Sequence, residues 1–142
     1  KSQIMKYNIL SKFIKDISFE IPSAEAFVMI EKEISKYNLN FDIKSNQFKN
    51  NIVEVNTILR ISPNIDVKHK ILTEINLTAL VSIENPSEDK KELEKIVLIK
   101  VPNEVYPTLY ETFVFLFKQA GIKNIQINKE VNFQKLFDTR KK

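Results

Sequence analysis

The 142-residue chain reads as a single α+β domain over 1–142: a four-stranded antiparallel sheet with a long helix and a C-terminal helix. Three observations predict this. Four stretches alternate apolar and polar residues with the period of two that a half-buried strand requires. The turns between them are too short for crossover helices, which points to consecutive antiparallel strands in one meander. From Asn103 the apolar spacing lengthens to that of a helix and holds to Ala120.

The first strand lies in YNILSKFIKDISFEI, residues 7–21. Its second half places Phe13, Ile17, Phe19 and Ile21 on one side and Lys12, Asp16, Ser18 and Glu20 on the other. Pro22 stops it, and Ser23 is placed to cap a short helical stretch through FVMIEKEISK. The second strand, NLNFDIK, sets Leu39, Phe41 and Ile43 against Asn40, Asp42 and Lys44. After the polar turn NQFKNN, the third shows Val53, Val55, Thr57, Leu59 and Ile61 on one row, ending at a Pro63-Asn64 turn. The fourth, VKHKILTEINLTALVSI, has an apolar row from Val67 to Ile83 and a polar row of Lys68, Lys70, Leu72, Glu74, Asn76, Thr78, Leu80 and Ser82. Leu72 stands out there, a leucine among lysine, glutamate and asparagine on the side that meets water.

ENPSEDKKELEKI reads as a charged crossover with one helical turn, and VLIKV as a short apolar strip. The helix that follows admits Pro107 only in its first turn and is suited to end at Gly121. It is apolar nearly all round: Tyr106, Leu109, Phe113, Leu116 and Ala120 form one stripe, Tyr110, Val114 and Phe117 widen it, and Phe115 faces away. A single-layer sheet cannot cover all of that, so a second protomer is expected over part of it, with Tyr106, Leu109, Tyr110, Phe113 and Phe117 as the contact residues. KNIQIN then looks extended. VNFQKLFDTRKK forms an amphipathic terminal helix carrying Val131, Phe133, Leu136 and Phe137.

Composition removes most enzyme classes. With no cysteine and one histidine, thiolate sites, disulfides and multi-histidine metal centres cannot form within the chain. A single glycine excludes Gly-rich phosphate loops. His69 is the one histidine base available, and no recognisable motif sets a nucleophile beside it. No cofactor is expected. The net charge of +4 comes from lysines scattered among acids, not gathered in a stripe, which points away from nucleic acid. No apolar run is long enough to cross a bilayer, and the first residues lack a signal-peptide pattern, so the cytoplasm is the expected compartment.

Four blocks, KDISFEIPSA (15–24), ILTEINLTALVSI (71–83), VPNEVYPTLYE (101–111) and VNFQKLF (131–137), resemble in sequence and order those of the SecB family of bacterial protein-export chaperones. The resemblance implies an ATP-independent chaperone, a dimer of dimers whose long helices meet between the dimers. It would hold unfolded precursor polypeptides and pass them to SecA, the translocation motor. By motif it also implies a SecA-docking patch at Asp16, Glu20, Leu72 and Glu74, which gives Leu72 a purpose as an apolar anchor among carboxylates. By position, Phe41 and Ile43 match apolar residues lining the family's client groove, with Phe133, Leu136 and Phe137 as helix-side candidates. An exposed leucine or a core aromatic would otherwise be the plainer reading of these residues.

The chain departs from the family's pattern in three ways. It is basic where the family is typically acidic. It carries Thr78-Ala79 where Gly-Gly is frequent, and its segment between Pro22 and Asn38 is longer and lacks a tryptophan. Two other functions compete: a SecB-like chaperone dedicated to one client such as an antitoxin, and an oligomeric adaptor that holds no client.

Overall fold

The computed structural model describes residues 5–34, 37–63, 70–85, 89–123, 125 and 127–140. The expectations for Asn64, Val67, Lys68 and His69 lie outside these. Strand β1 (Tyr7–Glu20) leads into helix α1 (Ala24–Glu33), then β2 (Tyr37–Lys49), β3 (Ile52–Pro63) and β4 (Leu72–Ile83). Helix α2 (Lys90–Lys95), a π-helical turn at Ile96–Lys100 and helix α3 (Val101–Gln119) then run on without a break, and α4 (Phe133–Arg140) closes the described chain. The four-stranded antiparallel sheet, the long helix and the C-terminal helix are all present.

The strand order corrects the meander. It is β1-β4-β3-β2: the last three strands are joined as hairpins, and β1 lies beside β4 instead of β2. Read from its C-terminal end this is the Greek-key order. The segment between β1 and β2, which the sequence presents as a local connection, carries α1 and takes the chain from one edge of the sheet to the other. Ser23 does cap α1, its hydroxyl accepting from the Ala26 N–H at 3.1 Å.

The alternation of β1 is also corrected. Register shifts at Leu10 and Lys15 each add one residue against β4, and each turns the side chains before it to the opposite face. Lys12 therefore pairs with Ala79 and stands on the helix side, where its Nζ donates to Thr108 Oγ1 at 3.2 Å. Phe13 pairs with Thr78 and joins Asp16, Ser18 and Glu20 on the outer face.

The long helix starts earlier than its apolar spacing suggested. Asp89 caps α2, accepting from the Lys91 and Glu92 N–H groups at 3.1 Å, and the supposed strip VLIKV is wound into the π turn. There the Val101 N–H bonds back to Ile96 O, a five-residue step just before Pro102, which has no N–H to give. Pro107 lies inside α3, not in its first turn.

The core lies between one sheet face and α3. Val55, Leu59, Ile75, Leu77 and Val81 face Val101, Val105, Leu109, Phe113 and Phe117, all fully buried. Phe117 stacks on Phe113 and meets the edge of Phe19 from β1. Burial of this kind contributes about 1.5–3 kcal/mol per large side chain, which holds the sheet flat against the helix and leaves its other face open.

Candidate functional site

Two surfaces are positioned by this frame, one on each side of the sheet. On the outer face, antiparallel register brings the four expected docking residues together. Glu20 lies opposite Leu72, Ser18 opposite Glu74, and Asp16 opposite Asn76, so the four occupy neighbouring positions on two adjacent strands. Adjacent strands sit about 4.8 Å apart, which makes this one flat patch. Leu72, the first residue of β4, is 55% exposed at one end of the patch. A cavity of about 410 Å3 opens beside it, lined by Ser18, Arg60, Ser62, Pro63, Lys70 and Glu74 among others.

The sequence reading missed two members of this face. Arg60 on β3 pairs in register with Glu74, and its Nε donates to Glu74 Oε1 at 2.7 Å. The signal was present, since Arg60 falls on the polar row of its strand and is one of two arginines in a lysine-rich chain. Phe13 is the other, hidden by the bulge at Lys15. Below the patch Lys15 bonds Glu54 at 2.9 Å, Asn56 donates to the same carboxylate at 2.9 Å, and Thr78 donates to Asn56 at 2.7 Å. The Asn56 hydrogen bond first, and Lys15 second, hold the Glu54 carboxyl below its ordinary pKa. Thr78 thus anchors a polar ladder across β4 and β3.

On the helix side, the expected client residues divide. Phe41 from β2 and Phe133 from α4 meet edge to face at 5.3 Å, and both contact Tyr106 of α3, at 5.7 and 6.0 Å. A groove of about 620 Å3 runs past this cluster, with Ile99, Tyr106, Pro107, Val131 and Phe133 as its apolar lining and Asn103, Lys129, Glu130, Asn132 and Gln134 as polar partners. Tyr106 donates its hydroxyl to Asn128 O at 2.6 Å. Burial, aided by neighbouring Tyr110, pushes its pKa up to about 12. Ile43 and Phe137 are buried, whereas Leu136 is 39% exposed.

Burial divides the residues expected to contact a second protomer. Tyr106, Leu109, Phe113 and Phe117 are covered within the one chain and have almost no surface left to offer; Tyr110 alone of the five is partly open. Tyr106 belongs instead to the groove. Exposed apolar side chains are found instead on β1, at Leu10, Phe13, Ile14 and Ile17, at Phe115 on α3, which is 60% exposed, and singly at Val28 on α1 and Phe48 on β2.

The family model for the preprotein translocase subunit SecB matches residues 1–142. A putative protein-export protein SecB from Pelagibacter ubique is 42% identical over 134 residues, covering 94% of this chain and 96% of its own. The protein-export protein SecB of Thiobacillus denitrificans is 27% identical over 131 residues, 92% of this chain and 84% of its own. Among solved structures, a SecB-like chaperone from Mycobacterium tuberculosis, in complex with a peptide from an antitoxin, superposes with a TM-score of 0.60. That superposition covers 88% of each chain at 15% identity, a likeness of fold.

Proposed function

The chain belongs to the SecB family, whose members are chaperones, and from that premise we propose that it holds unfolded precursor polypeptides in the cytoplasm without ATP and delivers them to SecA. The observation that carries this reading is the separation of two surfaces. A groove lined equally by apolar and polar residues suits an extended, unfolded segment, which offers scattered hydrophobic side chains and free main-chain groups. On the opposite side of the sheet, exposed Leu72 stands among Asp16, Glu20 and Glu74, an anchor with acids around it for a cationic partner. One chain can therefore hold a client and touch the motor at once.

The chaperone works in this reading as a homotetramer, a dimer of dimers, with no nucleic acid bound and no insertion into the membrane. No described helix is long and apolar enough to cross a bilayer. The unpaired edge of β1 with its exposed apolar residues supplies surface for a second protomer.

Titration calorimetry against the C-terminal cationic segment of SecA from the same organism tests the docking half. The wild type binds, and Leu72→Ala/Glu74→Gln weakens binding by at least about 30-fold, the equivalent of about 2 kcal/mol for a lost apolar anchor. A correctly assembled wild type that binds nothing rejects delivery to SecA and favours a chaperone dedicated to one client.

A further inference from the structure

The docking face is less acidic than its carboxylates suggest, because Arg60 stands within it. The row across the sheet runs Ser18, Glu74, Arg60, Asn40, one residue from each strand. The Arg60 and Glu74 side chains are joined at 2.7 Å yet keep 41% and 38% of their surface in water, so the pair is reachable from outside. The other two acids are held more loosely. Asp16 accepts a hydrogen bond from Ser18 at 3.5 Å, and Glu20 has no ion-pair partner among the described residues. The choice of residue matters as well. The chain carries 22 basic residues, of which only Arg60 and Arg140 are arginine. A guanidinium is always charged, and its planar fork matches a carboxylate better than an ammonium does.

We propose that Arg60 is an internal competitor for the docking partner: it occupies Glu74 in the free chaperone, and a cationic segment must displace the guanidinium before it can use that carboxylate. This rests on the docking reading above and adds its regulation. Breaking a half-exposed ion pair costs little, so the competition lowers affinity without preventing binding. It also gives the complex a way to come apart. When the partner's cation leaves Glu74, Arg60 is positioned to recapture it, and the carboxylate is never left bare. A chaperone that delivers a client and then departs needs such a limit on its affinity for the motor.

The test is calorimetric titration of the cationic SecA segment into the intact protein and its variants Arg60→Gln, Arg60→Lys, Glu74→Gln, Arg60→Gln/Glu74→Gln and Leu72→Ala, with melting curves confirming the fold of each. Arg60→Gln is expected to tighten binding about two- to fivefold. Arg60→Lys, a poorer match for the carboxylate, is expected to fall between wild type and Arg60→Gln, and the gain from Arg60→Gln disappears when it is made on top of Glu74→Gln. Arg60→Met, which keeps the aliphatic stem, replaces the glutamine variant if that one melts early. Unchanged or weaker binding by the neutral variants, in a protein where Leu72→Ala still weakens docking, overturns the competition. So does a gain that persists alongside Glu74→Gln, because Arg60 would then act through bare charge alone. If Leu72→Ala leaves binding intact, the docking reading itself fails and takes the inference with it.

Discussion

Gly121 shows how one residue fixes the end of the long helix. It adopts φ +93°, a left-handed conformation that side chains resist. Its N–H bonds Lys118 O at 3.0 Å and the next N–H, from Ile122, bonds Phe117 O at 2.9 Å. This is the Schellman closure, with buried Ile122 and Phe117 as its apolar pair. A methyl group at position 121 would also stand 3.2 Å from the Phe27 ring, tighter than ordinary packing. Gly121→Ala is therefore expected to cost about 1–2 kcal/mol, from backbone strain and a displaced ring together. In urea titration this appears as a lower midpoint with an unchanged slope. The role of Gly121 was legible in the sequence, because only one glycine follows the helical run. The role of Arg60 was harder to read. An arginine on a polar row looks like ordinary surface until register sets it opposite Glu74.

At the scale of elements, α4 is the part most dependent on few contacts. It has eight residues, is capped by Asn132 accepting from the Lys135 N–H at 2.9 Å, and among its described side chains buries only Phe133 and Phe137. A helix this short has little stability of its own in water. Phe133→Ala is expected to free α4 from Phe41 and Tyr106 by local opening, at less than the ~3–5 kcal/mol of a core Phe deletion. Hydrogen exchange would quicken over 133–140 while β3 and β4 keep their protection. Uniform loss of protection across the sheet would show that α4 is part of the cooperative core instead. The faces of β3, β4 and the Leu39–Lys44 part of β2 were legible because each is an uninterrupted alternation, whereas β2 shifts register at Phe48. The upstream half of β1 was not, since a bulge leaves no mark in composition and inverts every side chain before it. The start of the long helix was missed because the π turn and Pro102 break the 3.6-residue spacing at Ile96–Lys100. Strand order was hidden for a different reason. Local patterns say that a segment is a strand, whereas its neighbour is chosen by contacts distant in sequence.

Taken whole, the chain carries a run of exposed apolar residues along one edge of its sheet. Strand β1 is an outer strand of the sheet, with Leu10, Phe13, Ile14 and Ile17 each at least 36% exposed. An edge with free backbone groups and apolar side chains is a template for pairing with another chain. Light scattering of the intact protein is expected to give a mass well above that of one chain. Ile17→Lys, a charge placed on that edge, shifts the mass toward the monomer; a wild type monomeric at micromolar concentration would refute the tetramer. The Greek-key order also has a consequence for how the protein is made. Tyr7 finds its partner in Ile83 and Glu20 finds its partner in Leu72, so β1 cannot pair until β4 has been synthesised. At roughly 5–20 residues per second, that leaves β1 waiting on the order of 3–12 s at the ribosome, its apolar row unprotected throughout. A protein proposed to shelter unfinished chains thus begins as one, and its sheet closes only when strands distant in sequence meet.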